Sequence, residues 1–151
     1  MTKHILVTHE KGGAAVTTTA VNLAAELAGA GWSALVVDCD SRGDVAASLG
    51  IDPAPALAAY LTDRCIGREE SAGDLVRFGR AGLDVLPTTA SGLRSVLQLL
   101  DGMGEGSVRQ WLRELGDGYD FVLYDAKAAS GNLRRVLMQL ADLMVIPTRM
   151  E

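Results

Sequence analysis

Aromatic residues are scarce in this chain. Two tryptophans, three tyrosines and two phenylalanines make up 5% of its 151 residues, so aliphatic side chains and alanine must build the core. There are only two cysteines, Cys39 and Cys65, and they have no metal-ligand spacing. That excludes a cysteine-based metal module; both read as structural filler in a reducing, cytoplasmic setting. No apolar run approaches the ~20 residues needed to cross a bilayer. The opening "MTKHILVTHE" has a short apolar run without a cleavage site, so no secretion leader is expected. Internal repeats and low-complexity tracts are missing too. Positive charge is in deficit: the formal net charge is −5, which argues against nucleic-acid binding by the surface as a whole and leaves only a local basic patch open.

What is present is an ordinary globular composition, 48% hydrophobic and 22% charged, enough for one domain with a real core. Seventeen glycines fit many tight strand–helix turns. Short continuous apolar runs lie at 4–8, 34–38, 83–86, 121–124 and 143–146, and such runs suit strands buried on both faces. Helical patterns fall between them. Residues 17–29 place Ala20, Leu23, Ala24, Leu27 and Ala28 on one face. Further helices are expected at 90–100, at 107–115 with Ser107 and Gln110 in capping-box spacing, at 131–141 and, more weakly, at 54–62. "DGMGEG" at 101–106 reads as the most flexible linker. The alternation predicts an α/β fold: a mostly parallel twisted sheet of about five strands flanked by helices. In such a sheet ligands sit at the carboxyl ends of the strands. The loop at 9–17, "DCDS" at 38–41 and "DAKA" at 125–128 should therefore converge.

The loop "HEKGGAAVTTTA" at 9–20 nearly spells a phosphate-binding loop. Such a loop ends in Gly-Lys-Ser/Thr, and here those positions hold Ala15, Val16 and Thr17. The whole run "KGGAAVTTTAVNLAAELAGAGWSALVVDCDSRGDVAASLGI" resembles the opening of ParA/MinD-type ATPases, whose loop reads Lys-Gly-Gly-Val-Gly-Lys-Thr-Thr. "GLDVLPTTASGL", "YDFVLYDAKAASGNL" and "ADLMVIPTRME" continue the likeness in order over almost the entire chain. The resemblance implies a P-loop NTPase-like fold in a single domain over 1–151. It also implies that a C-terminal portion usual in the family is lacking, with strand 143–146 left as an unprotected apolar edge.

Residue by residue, the resemblance implies the following roles. Lys11 matches the family's signature lysine, which reaches a partner's nucleotide across a dimer. Gly12, Gly13, Ala14, Ala15, Val16, Thr17 and Thr18 match the nucleotide-cradling loop. Thr17, Asp38 and Asp125 match the magnesium-binding set. Asp38 and Asp40 match the pair serving magnesium and the attacking water, so Lys11, Asp38 and Asp40 are the catalytic candidates. The implied cofactors are ATP or ADP with Mg2+. Ala15 costs on the order of 1 kcal/mol if its position requires a glycine-type backbone angle. Val16 replaces the ammonium that offsets phosphate charge. "SRGD" at 41–44 and "AKA" at 126–128 depart from the family's Pro-Gln-Gly-Asn and its proline-containing turn.

These departures leave three readings. The first is a partition or positioning protein of impaired ATP binding and hydrolysis, acting through a protein partner or a homodimer. The second is an active Mg-ATP-dependent enzyme using Lys11 or Lys127 in place of the missing lysine. The third is an altered or shortened piece of a longer ATPase. Lys127 is expected to pair with Asp38, Asp40 or Asp125 and close the site without ligand. Thr17 has an alternative reading as a helix N-cap. Arg134 and Arg135, together on a helix, are basic candidates for DNA contact, against a solvated helix face as the plainer reading.

Overall fold

A computed structural model describes residues 1–9, 15–68, 72–127 and 131–150. Six strands form one sheet: β1 (Lys3–Val7), β2 (Ala34–Asp38), β3 (Arg77–Arg80), β4 (Leu83–Leu86), β5 (Phe121–Asp125) and β6 (Leu143–Val145). The order across the sheet is β3-β4-β2-β5-β1-β6. All pairings are parallel except β3 with β4, which is antiparallel. The helices are α1 (Val16–Gly29), α2 (Asp44–Ser48), α3 (Ala56–Cys65), α4 (Ala90–Met103), α5 (Glu105–Leu115) and α6 (Gly131–Leu140).

The period-2 geometry of strands divides the core in two. Ile5 and Val7 of β1, Ala34 and Val36 of β2, Leu83 and Val85 of β4, and Leu123 of β5 face one cluster with Val16, Ala20, Val21 and Ala24 of α1 and Val45 of α2. The intervening residues Leu6, Leu35, Val37, Leu86, Val122 and Tyr124 face the other, beneath α3 to α6. The four inner strands are thus covered on both faces, as their unbroken apolar runs predict. The small alanines of α1 let it lie close against the sheet.

Three details differ from the sequence reading. The sheet has six strands rather than about five. The extra one, β3, reads "RFGR" and is exposed except at the half-buried Gly79, so it carries no hydrophobic pattern to announce it. The "DGMGEG" stretch is not a flexible linker: α4 runs to Met103 and α5 begins at Glu105, with Gly104 alone as the joint. Ser107 lies inside α5 and caps nothing, because Gly104 occupies the capping position. Among the described residues β6 lies at one side of the sheet, next to β1, and Leu143 and the following Ile146 are more than half exposed.

Gly104 has φ 87° and ψ 160°, a backbone region essentially closed to side chains. Gly102 sits within α4, and a methyl added there would meet open space. Gly104→Ala should therefore destabilise the protein by about 1–3 kcal/mol. Gly102→Ala should stabilise it by about 0.5–1 kcal/mol. Chemical denaturation of the two variants checks the pair; equal and negligible effects would restore the flexible-linker reading.

Candidate functional site

The parallel register sets three strand ends side by side. Val7 of β1 and Asp38 of β2 are both register partners of Asp125 on β5. The chain leaves all three strands at the same edge, and α1 starts there. Thr17, Asp38, Asp40 and Asp125 converge at this edge, as the sequence predicts, and all four are buried. Lys11, Gly12, Gly13 and Ala14 lie outside the described residues. Thr18 is exposed on the first turn of α1 and lines a hollow of about 340 Å³ with Asn22 and Arg80.

Ala15 holds φ 56° and ψ 36°, and among the described residues it is the only non-glycine with positive φ. The left-handed conformation expected of a glycine at this position is thus kept by a residue strained in it. Its carbonyl accepts the Thr19 amide at 2.9 Å and the Thr19 hydroxyl at 2.7 Å, which fixes the start of α1. Val16 follows with no exposed surface, packed in the cluster beneath α1. Its side chain has joined the core, so what this position can offer a phosphate is its amide. Thr17 is no N-cap, since Ala15 holds that place and no side chain caps it. The Thr17 hydroxyl instead donates to Asp125 Oδ2 at 2.6 Å.

The carboxylates are unevenly supplied with partners. Asp38 Oδ1 accepts the Asp40 amide at 3.0 Å, and Asp40 Oδ1 accepts the Arg42 amide at 3.4 Å. Asp38 Oδ2 and Asp125 Oδ1 are buried with no hydrogen-bond partner among the described residues. Asp40 Oδ2 also lacks a well-directed hydrogen bond but lies 3.1 Å from Lys127 Nζ, an attraction of charge. Lys127 donates its directed bond to Asp44 Oδ2, at 2.8 Å. Lys127 thus pairs with Asp40, one of the three partners expected for it. Its other partner, Asp44, was not anticipated; an acidic residue in the first turn of a helix otherwise reads simply as a favourable terminal charge.

Other residues that sequence reasoning missed are held by tertiary contacts. The Thr8 hydroxyl donates to the Ala126 carbonyl at 2.8 Å and accepts from Arg134 at 3.1 Å. Arg135 pairs with Glu105 at 2.9 Å and donates to Asn132. Arg135 stays exposed on α6 and Arg134 is half-buried.

Burial pushes Asp38 up to about 7, against the pull of the Asp40 amide and with a further push from Asp125 and Asp40. Burial likewise raises Asp125 to about 6, opposed by the Thr17 hydroxyl. For Lys127, burial lowers the affinity for the proton but the bond to Asp44 and the charges of Asp40 and Asp44 outweigh it, and the net direction is upward. Among the described residues no three acidic, histidine or cysteine side chains gather around one point as a metal set. The cation already in contact with the carboxylates is the Lys127 ammonium. In this arrangement the described residues do not fit a divalent ion, and no chemical step is assigned through one.

Two expectations follow. Ala15→Gly relieves about 1–2 kcal/mol of left-handed strain but loses about 0.4–1 kcal/mol through the freer unfolded chain. A net gain of roughly 0.5–1 kcal/mol should appear in denaturant unfolding; a loss would mean the strain is absent. The second concerns pH. Both raised carboxyls bind protons more tightly folded than at the ordinary value of 3.8. Their contribution is complete below pH 4 and is lost as pH rises through 6 and 7. Stability should fall by on the order of 2–4 kcal/mol over that window, and Asp38→Asn should flatten the slope. A profile rising across the same window would overturn the assignment.

Comparison with known proteins agrees with this architecture. A family model described as an AAA domain matches residues 2–151. The sporulation initiation inhibitor protein Soj of Bacillus subtilis is 30% identical over 152 residues, covering 100% of this chain and 60% of Soj. The chromosome partitioning protein ParA of Myxococcus xanthus is 33% identical over 152 residues, covering 97% of this chain and 52% of that protein. Among solved structures, a cobyrinic acid a,c-diamide synthase from Mycobacterium smegmatis with bound ADP and magnesium superimposes with a TM-score of 0.83 at 26% identity, over 98% of this chain and 60% of that one. The chain therefore spans between 52% and 60% of the length of these proteins. Among the described residues no helix is long and apolar enough to cross a membrane. With the motifs in order, the strand topology that aligns them and a family match over nearly the full length, the chain belongs to the ParA/MinD family of P-loop ATPases.

Proposed function

We propose that this chain serves in partition or positioning of DNA or another cargo, with impaired ATP binding and hydrolysis, and acts in the cytoplasm by binding a protein partner or a second copy of itself. The observation that carries this reading is Val16. The position at which the family places its phosphate lysine is occupied by a side chain with no exposed surface, built into the core. Amides at the start of α1 remain to attract phosphate, but they supply no mobile charge to follow the transferring group. Lys127, the described cation nearest the carboxylates, is engaged by Asp40 and Asp44. In this reading Thr17, Asp38, Asp40 and Asp125 are retained ancestral site residues, as are Lys11 and the loop that follows it. Thr17 and Asp125 also stabilise the fold through their mutual hydrogen bond.

Calorimetric titration with ATP and with ADP, each in the presence of magnesium, tests it. The unaltered chain should show no binding at micromolar concentration. The Ala15→Gly/Val16→Lys double variant should bind both nucleotides, at a cost in stability because Val16→Lys removes a buried side chain worth about 1.5–3 kcal/mol. Melting curves confirm that the variant is folded. Micromolar ATP binding with turnover by the unaltered chain would overturn the proposal in favour of an active enzyme using Lys11 or Lys127.

A further inference from the structure

The carboxylate cluster has an unusual neighbour. Lys127 lies two residues beyond Asp125, and its position is set by the backbone rather than by its own flexibility. The Ala126 amide donates to the Val7 carbonyl at 3.1 Å, and the Ala126 carbonyl accepts the Thr8 hydroxyl at 2.8 Å. The Cys39 amide donates to the Asp125 carbonyl at 2.9 Å, tying the exits of β2 and β5 together. From that anchored start the Lys127 side chain reaches across to the β2 exit, with 14% of its surface exposed. Its ammonium lies 3.1 Å from Asp40 Oδ2 and 2.8 Å from Asp44 Oδ2. It thereby joins the segment after β5 to both the segment after β2 and the start of α2.

Asp40 has only 1% of its side chain exposed, so its charge has little water to answer it. Asp38 and Asp125, each without exposed surface, retain oxygens lacking a partner among the described residues. A cluster of this kind attracts cations, and the attraction is stronger where water is excluded. A divalent ion approaching it meets a fixed positive charge already in contact with one member. Asp44 holds that charge in place from the other side through a directed hydrogen bond.

We infer that Lys127 is a tethered counter-cation that closes the carboxylate site against divalent metal ions. Its ammonium supplies positive charge from within the chain, and the Asp44 bond keeps it from swinging out to solvent. The two contacts also clasp the β5 exit to α2 and give buried Asp40 a counter-charge from within the chain. This inference concerns metal alone and does not depend on whether the phosphate loop accepts nucleotide. A chain that binds ATP weakly and a chain that excludes divalent ions are separate outcomes, read by separate measurements.

The test is Mn2+ binding by electron paramagnetic resonance, which reads the free ion directly, with no nucleotide present. It is made on the full chain and on Lys127→Met, Lys127→Gln, Lys127→Arg and Lys3→Gln. The unaltered chain should leave millimolar Mn2+ free. Lys127→Met should bind Mn2+ at least about tenfold more tightly, because buried Asp40 then loses its counter-charge beside Asp38 and Asp125, whose free oxygens already lack a partner among the described residues. Lys127→Gln keeps a donor for Asp44 without the charge and should behave like Lys127→Met; it decides the matter if the methionine variant fails to fold. Lys127→Arg should exclude Mn2+ as the unaltered chain does. Lys3→Gln removes the same charge from an exposed strand position and should change nothing. Tight Mn2+ binding by the unaltered chain would overturn the inference. So would a folded, uncharged Lys127 variant that binds no better than its parent, or an equal gain in Lys3→Gln.

Discussion

Two carboxylates, Asp38 and Asp125, stand opposite each other in register at the ends of adjacent parallel strands, both without solvent exposure. Strand pairing forces that proximity, and burial forbids water from relieving it. Much of the surrounding structure can be understood as a response. Thr17 turns its hydroxyl to Asp125, the Asp40 amide turns to Asp38, and protonation is favoured at both. The fourth response is Lys127, which compensates Asp40 from the next turn of chain. These contacts meet only part of the burden: Asp38 Oδ2 and Asp125 Oδ1 keep no hydrogen-bond partner among the described residues.

The same economy is visible at the start of α1. Ala15 holds a left-handed backbone just ahead of the helix, at the position where the family resemblance implies glycine. The next residue no longer points a charged chain at a ligand, because a branched alkyl group gains more from the core than from the loop. The sheet topology thus agrees with that of the structural neighbours, while Ala15 and Val16 stand where the family resemblance implies glycine and lysine. A shared fold does not by itself fix the chemistry of a site, so the close superposition on a nucleotide-bound structure speaks for the architecture alone.

The legible parts of the fold were those with a strong period. The inner strands and the helices packed on them declared themselves because burial on both faces or along one stripe leaves a hydrophobic pattern. β3 was silent because an exposed edge strand needs no such pattern, and it forms through hydrogen bonds to β4 that any backbone can make. The joint at Gly104 was misread because a glycine-rich stretch looks flexible whether or not its neighbours are helical; only packing of α4 and α5 against the same core shows that it turns once. Asp44 was missed for a different reason. Its partner is distant in sequence, and charge pairing at long range has no local signature.

The alternation of the main strands and helices, the parallel sheet, the ligand edge and the convergence of Thr17, Asp38, Asp40 and Asp125 were determined by the sequence alone, because each rests on local periodicity and on the fixed handedness and direction of strand–helix–strand connections. The strain at Ala15, the burial of Val16 and the engagement of Lys127 by Asp40 and Asp44 were decided only by tertiary structure. Each depends on which side of a turn a side chain falls and on what distant segment lies there, and neither is encoded by the identity of the residue or its neighbours.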